Sequence, residues 1–153
     1  MSTFKHGIDV NVPVSIAYNQ WTQFEDFPHF MDSVESIRQM NDDTLFWEAE
    51  IAGIEQEWTA RITEQIPDQR IAWTNTSGAT NAGVVTFHPV NDITTRVMLQ
   101  VDYEPEGFIE NVGDALGFVE RSLRSDLENF KAFIEKRGVP TGAWRGEIEQ
   151  ESY

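Results

Sequence analysis

The sequence predicts an α+β domain: a curved antiparallel sheet of about seven strands wrapped around one long C-terminal helix, with two short helices after the first strand. Three observations predict it. Residues 3–13 alternate apolar and polar, residues 34–105 read mostly as short strands joined by short turns, and residues 108–134 place apolar side chains at steps of three and four. A sheet with one apolar face and a helix with one apolar stripe bury both when the sheet curls around the helix.

The elements follow in order. Phe4, His6, Ile8, Val10 and Val12 alternate against polar neighbours, and Pro13 ends that strand. The spacing then becomes helical, with Val14, Ala17, Trp21 and Phe24 on one face. Pro28 predicts a break near Phe27, and a second short helix is expected through "PHFMDSV". "LFWEAEIAGIEQEWTARITEQI" reads as two strands around a turn at Ala52-Gly53, followed by strands in "RIAWTNTS", "AGVVTFHPV" and "TTRVMLQVDYEP". Phe108, Val112, Leu116, Val119, Leu123, Leu127, Phe130 and Ile134 form the stripe of the long helix, which Gly138 and Pro140 close.

The chain has 153 residues, the size of one domain. Residues 1–138 are expected to form it, with 139–153 an acidic, flexible tail. A formal charge of −15 repels nucleic acid and anionic membrane surfaces. No apolar run approaches the roughly 20 residues that span a bilayer, and "MSTFKHGIDVNV" lacks the pattern of an export signal. A cytoplasmic protein without membrane insertion is therefore expected. The absence of cysteine excludes disulfides, thiolate catalysis and cysteine-ligated zinc.

The segments "WTQFEDFPHFMDSVESIRQM", "EWTARITEQIPDQRIAW", "GVVTFHPV" and "VGDALGFVERSLRSDLENFKAFIEKRG" resemble the helix-grip superfamily of START-like and pollen-allergen-like proteins, often labelled SRPBCC. Within it, the chain resembles the bacterial polyketide cyclase/dehydrase or coenzyme-Q-binding-like branch. The resemblance covers roughly residues 3–138. It implies a cavity between sheet and long helix, entered near the short helices, and a lipid, quinone or polyketide-like ligand. Members differ in chemistry, so the fold does not fix the function.

Parity supplies the candidate wall. With Ala52-Gly53 as a two-residue turn, Trp47 lies opposite Trp58, both inward beside Ala49, Ala60 and Ile62. Trp73 and Phe87 take the inward parity of the next strands, and Leu99 and Tyr103 that of the last. Gln56, Asn75, Tyr103 and His6 are the polar candidates on that face. Leu116, Val119 and Leu123 are expected on the helix side, with Phe27 and Phe30 at the entrance. The small residues Ala49, Ala60 and Gly83 leave room among the rings; ordinary core packing is the alternative reading of the same pattern.

No nucleophile sits beside a base, so no catalytic residue is assigned. His6, His29 and His88 lie on different elements without zinc spacing. Glu48, Glu50, Glu55 and Glu57 face one another on the wet side, where a solvated face near Arg61 is the ordinary reading and a hard cation the alternative. Neither a metal nor a cofactor is expected. Gly113 and Gly117 flank the helix stripe, and Phe118 falls outside it.

The expected function is binding of a small hydrophobic molecule lined by Phe27, Phe30, Trp47, Trp58, Trp73, Asn75, Phe87, Leu99, Tyr103, Leu116, Val119 and Leu123. One alternative is a polyketide cyclase or dehydrase steered by Tyr103, Asn75, Gln56 and His6. The other is an interaction module with a filled core, making a homodimer or partner contact through Phe118, the acidic face or the tail with its Trp144.

Overall fold

The computed structural model describes residues 2–77, 80–104 and 112–149. Seven strands form one sheet: β1 (Ser2–Val10), β2 (Val34–Gln39), β3 (Thr44–Ile51), β4 (Ile54–Ile66), β5 (Arg70–Asn75), β6 (Thr80–Asn91) and β7 (Thr94–Glu104). Their order is β1-β7-β6-β5-β4-β3-β2, antiparallel throughout. β2 to β7 are a meander, and β1 returns to pair with β7. Helix α1 (Val14–Trp21) and a 3₁₀ helix (Phe24–His29) carry the chain between the two sheet edges, and α2 (Val112–Arg137) follows the last strand.

The β3–β4 hairpin has the expected register. Ala52 and Gly53 both adopt positive φ, 53° and 83°, the conformation of a two-residue turn whose twist suits a hairpin. Ile51 therefore pairs with Ile54, Trp47 with Trp58, Glu48 with Glu57 and Glu50 with Glu55. Register shifts interrupt β2–β3 at Val34/Ser36, β4–β5 at Ile62/Glu64 and β6–β7 at Pro89/Asn91. Such bulges bend strands and increase twist, which curves the sheet towards α2. Alternation sorts the faces: Thr95, Val97, Leu99, Val101 and Tyr103 of β7 are all buried.

The short helices differ from the sequence expectation. α1 stops at Trp21, and Phe24 begins the second helix rather than ending the first. Pro28 lies inside that second helix instead of breaking the chain before it. A six-residue 3₁₀ helix has few internal bonds, so a proline there removes little. The phenylalanines thus turn into one cluster. Trp21 lies 4.9 Å from Phe130 and 5.5 Å from Phe27, and Phe30 lies 5.2 Å from Phe130, centroid to centroid. Edge and tilted aromatic pairs of this kind each contribute about 0.5–1.5 kcal/mol beyond area burial. They close one end of the sheet–helix layer.

On α2, Leu123, Leu127, Phe130 and Ile134 are buried, and Leu116 and Val119 pack against the core while half-buried. Gly138 ends the helix at φ 71°, donating its N–H to the Ile134 carbonyl at 2.8 Å.

The segment expected as a flexible tail is held against the body through residue 149. Ile148 and Gln65 exchange backbone hydrogen bonds of 2.7 and 2.9 Å. Arg145 pairs with Asp68 at 2.8 Å and lies over the Tyr18 ring, and the Trp144 N–H donates to Thr22 Oγ1 at 3.1 Å. The chain folds back because the bulge in β4 and the end of α1 leave polar groups that it partners. No helix among the described residues is long and apolar enough to cross a membrane.

Candidate functional site: the cavity between sheet and helix

The core is not filled everywhere. Between the inner sheet face and the first half of α2 lies a cavity of about 120 Å³. A single water requires roughly 10–15 Å³ on the same scale, so the space admits on the order of ten heavy atoms. Its sheet wall comes from β3 (Leu45, Trp47, Ala49, Ile51), β4 (Trp58, Ile62), β5 (Ile71, Trp73) and β7 (Leu99, Val101, Tyr103), with Asn81 from β6. Trp21, Phe24, Phe27, Met31, Ser33 and Val34 close the short-helix end, and Phe118, Val119, Ser122, Leu123 and Asp126 form the helix wall.

Trp47 and Trp58 stack across the hairpin at 5.7 Å with planes 13° apart, and Phe27 meets Trp47 edge-on at 5.9 Å. Trp73 lies against the backbone of Gly83, its partner on β6. A Cβ at Gly83 would stand 2.4 Å from the indole ring, so that glycine makes room for Trp73 rather than for a ligand. Ala49 stands in the wall, while Ala60 is fully buried.

Phe27, Trp47, Trp58, Trp73, Leu99, Tyr103, Val119 and Leu123 converge on the cavity, as parity and periodicity predict. Four other candidates do not border it. Phe30 is sealed against Trp21 and Phe130, and Phe87 lies under α1 against Tyr18 and Trp21. Asn75 sits at the end of β5 opposite Ala60, and Leu116 packs on the core outside the wall. For Phe87 the parity is right but the position along the strand is not: Asn81, six residues earlier on β6, reaches the cavity instead. His6 pairs with Leu99 and stays outside the wall. His88 is exposed and bonded to Thr86 at 2.9 Å.

Phe118 corrects the sequence reading most directly. It lines the cavity while only half-buried. Phe118, Ser122 and Asp126 make a row at steps of four, adjoining the apolar stripe, and the sheet curls far enough to cover both. Ser122 and Asp126 in that row are polar, so the apolar stripe alone does not mark it. Gly117 adjoins it, and a Cβ there would meet Arg121; the side-chain surroundings of Gly113 lie outside the described residues.

Four buried polar atoms of wall residues lack a hydrogen-bond partner among the described residues: the Tyr103 hydroxyl, the indole N–H groups of Trp21 and Trp47, and Asn81 Oδ1. Tyr103 and Asn81 are neighbours in the β6–β7 register. Burial raises the Tyr103 hydroxyl pKa, and Gln56 opposes that shift from nearby without a well-formed hydrogen bond. The carboxyl of Asp126, 8% exposed, is pushed up to about 7 by burial, with the charge of Asp32 adding to the effect. On the opposite, wet face, Glu35 is raised first by Glu55, then by burial and by Glu50 and Glu48, as expected for like charges at cross-strand positions.

Residues 10–132 match the family described as polyketide cyclase/dehydrase and lipid transport. The chain belongs to that family. It is 54% identical over 149 residues to an uncharacterized 17.2 kDa protein of Streptomyces lincolnensis, covering 97% of this chain and 99% of that one. The family fold recurs in the Zhui aromatase/cyclase of a Streptomyces species, at TM-score 0.79 and 14% identity over 94% of this chain and 99% of that one. It recurs also in a START superfamily protein of Mycobacterium smegmatis, at TM-score 0.68 and 14% identity over 88% and 95% of the two chains. The seven-stranded sheet around a C-terminal helix is thus the START-like helix-grip architecture.

Proposed function

We propose that this family member binds a small, flat hydrophobic molecule in the cavity between sheet and helix. One observation carries the reading: an apolar cavity walled by four indoles keeps four buried polar atoms of its wall without partners among the described residues. An empty apolar hole loses packing contacts, and each unpaired buried polar group costs on the order of 1–3 kcal/mol. A ring-bearing ligand with one polar substituent relieves both deficits. Tyr103 and Trp47 would donate to its oxygen and Asn81 Oδ1 would accept from it. The family description, which includes lipid transport, supports carriage of such a molecule. Native mass spectrometry of freshly purified protein tests this: a retained small molecule, or uptake of naphthylmethanol at one per chain, is expected, and neither appearing would refute it.

Asp126 favours a second reading, a cyclase or dehydrase. A carboxyl with a pKa of about 7 inside a cavity suits general acid–base work near neutrality. Its sign would be turnover of a polyketide mimic that Asp126→Asn abolishes without changing mimic affinity; turnover unaffected by that substitution would dismiss it.

A further inference from the structure

Among the described residues the cavity wall carries one charge-bearing side chain, and no cation answers it. Asp126 lines the wall from α2, is more than nine-tenths buried, and makes no hydrogen bond or ion pair among the described residues. No Lys, Arg or His stands in the wall, and the undescribed stretches 78–79, 105–111 and 150–153 contain none. Asp32, from the loop between the 3₁₀ helix and β2, is the charge that acts on Asp126, and it is negative. The nearby helix cation Lys131 is turned away, bonded to Glu135 and to the Asp9 carbonyl. The same cavity is walled by the indoles of Trp47, Trp58 and Trp73, and indole rings attract cations electrostatically.

We propose that the cavity selects a hydrophobic ammonium ion: an amine or quaternary nitrogen on a flat apolar body, its charge placed between Asp126 and the indole faces. This rests on the reading of the cavity as a ligand site and names the class of ligand. The chemistry is one-sided. An anionic ligand meets Asp126, on which Asp32 adds a second negative charge, with no basic side chain of the described wall to offset them. A neutral ligand gains burial and the hydrogen bonds of the wall, but no counterion. A cation gains burial, a counterion and cation–π contact, and the chain's charge of −15 raises its local concentration. Ionised Asp126, costly when alone, then has the partner that buried charges require.

The test compares three molecules of one shape, naphthylmethylamine, naphthylmethanol and naphthoate, by titration calorimetry at about pH 8, where Asp126 is mostly ionised. The amine is expected to bind at least about tenfold tighter than the alcohol, and the carboxylate weakest. Asp126→Asn should remove the amine's advantage, bringing the amine and alcohol affinities of that variant to within about twofold of each other. In the unmodified protein the advantage should also shrink towards about pH 5, as Asp126 takes up its proton. Alcohol or carboxylate binding as tightly as the amine overturns the proposal and leaves the ligand site standing, as does an advantage that survives Asp126→Asn. If none of the three binds, the ligand site itself is refuted.

Discussion

Trp47 and Trp58 stack face to face across the β3–β4 hairpin, 5.7 Å apart and 13° from parallel, yet only Trp58 is buried. The two rings therefore do different work. Trp58 packs between Ala49 and Ala60 and completes the sheet face, whereas Trp47 stands half in the cavity against Phe27. Trp58→Ala is expected to cost about 3–5 kcal/mol in denaturant unfolding. Trp47→Ala should cost roughly half as much and lower affinity for naphthylmethanol at least about tenfold. Equal stability losses with unchanged affinity would show that both rings are mere core.

Gly83→Ala probes the wall from behind. The new methyl would stand 2.4 Å from the Trp73 ring, so the indole must swing into the cavity. A loss of about 1–3 kcal/mol in stability is expected, together with weaker ligand binding. Thermal melting and calorimetry measure both. Unchanged binding would mean that Trp73 has another place to go.

Asp126 predicts an unusual pH dependence. Its carboxyl shifts from 3.8 to about 7 on folding, so the folded chain holds the proton that the unfolded chain releases. This group therefore stabilises the fold most below about pH 4, and its contribution is lost as pH rises to about 7. The shift corresponds to a difference on the order of 4 kcal/mol. Asp126→Asn should be more stable than the parent at about pH 8, by a few kcal/mol, and nearly equal to it near pH 4. Parallel urea titrations at the two pH values would show the crossover, and a variant less stable at both would contradict it.

Phe118→Ala separates a cavity residue from an interface residue. Its place in the wall predicts weaker ligand binding and an unchanged mass in sedimentation. Loss of an oligomer with binding intact would restore the reading of Phe118 as a contact surface.

How much of this was legible follows from what each residue's position depends on. Trp47 opposite Trp58 needed only a local inference, because a two-residue turn fixes the register of everything beyond it. The inward set of β7 followed likewise from strict alternation. Phe87 and Asn75 failed at the next level: parity sorts faces but not depth along a strand, and α1 covers the Phe87 end of β6. The sequence carries no sign that Phe118 and Asp126 line the cavity, for a different reason. The width of the helix face that a curved sheet covers is a tertiary quantity, and an acidic residue in a strongly acidic chain carries no signal of burial. The contacts of Trp144 and Arg145 depend on partners more than seventy residues away in sequence.

A small apolar molecule is expected to occupy the space between sheet and helix. The five indole N–H resonances of this chain report on it individually. Titration with naphthylmethanol should shift those of Trp21, Trp47, Trp58 and Trp73, which line the cavity, and leave that of Trp144 in place. Four still resonances, or a shift at Trp144 alone, would contradict it.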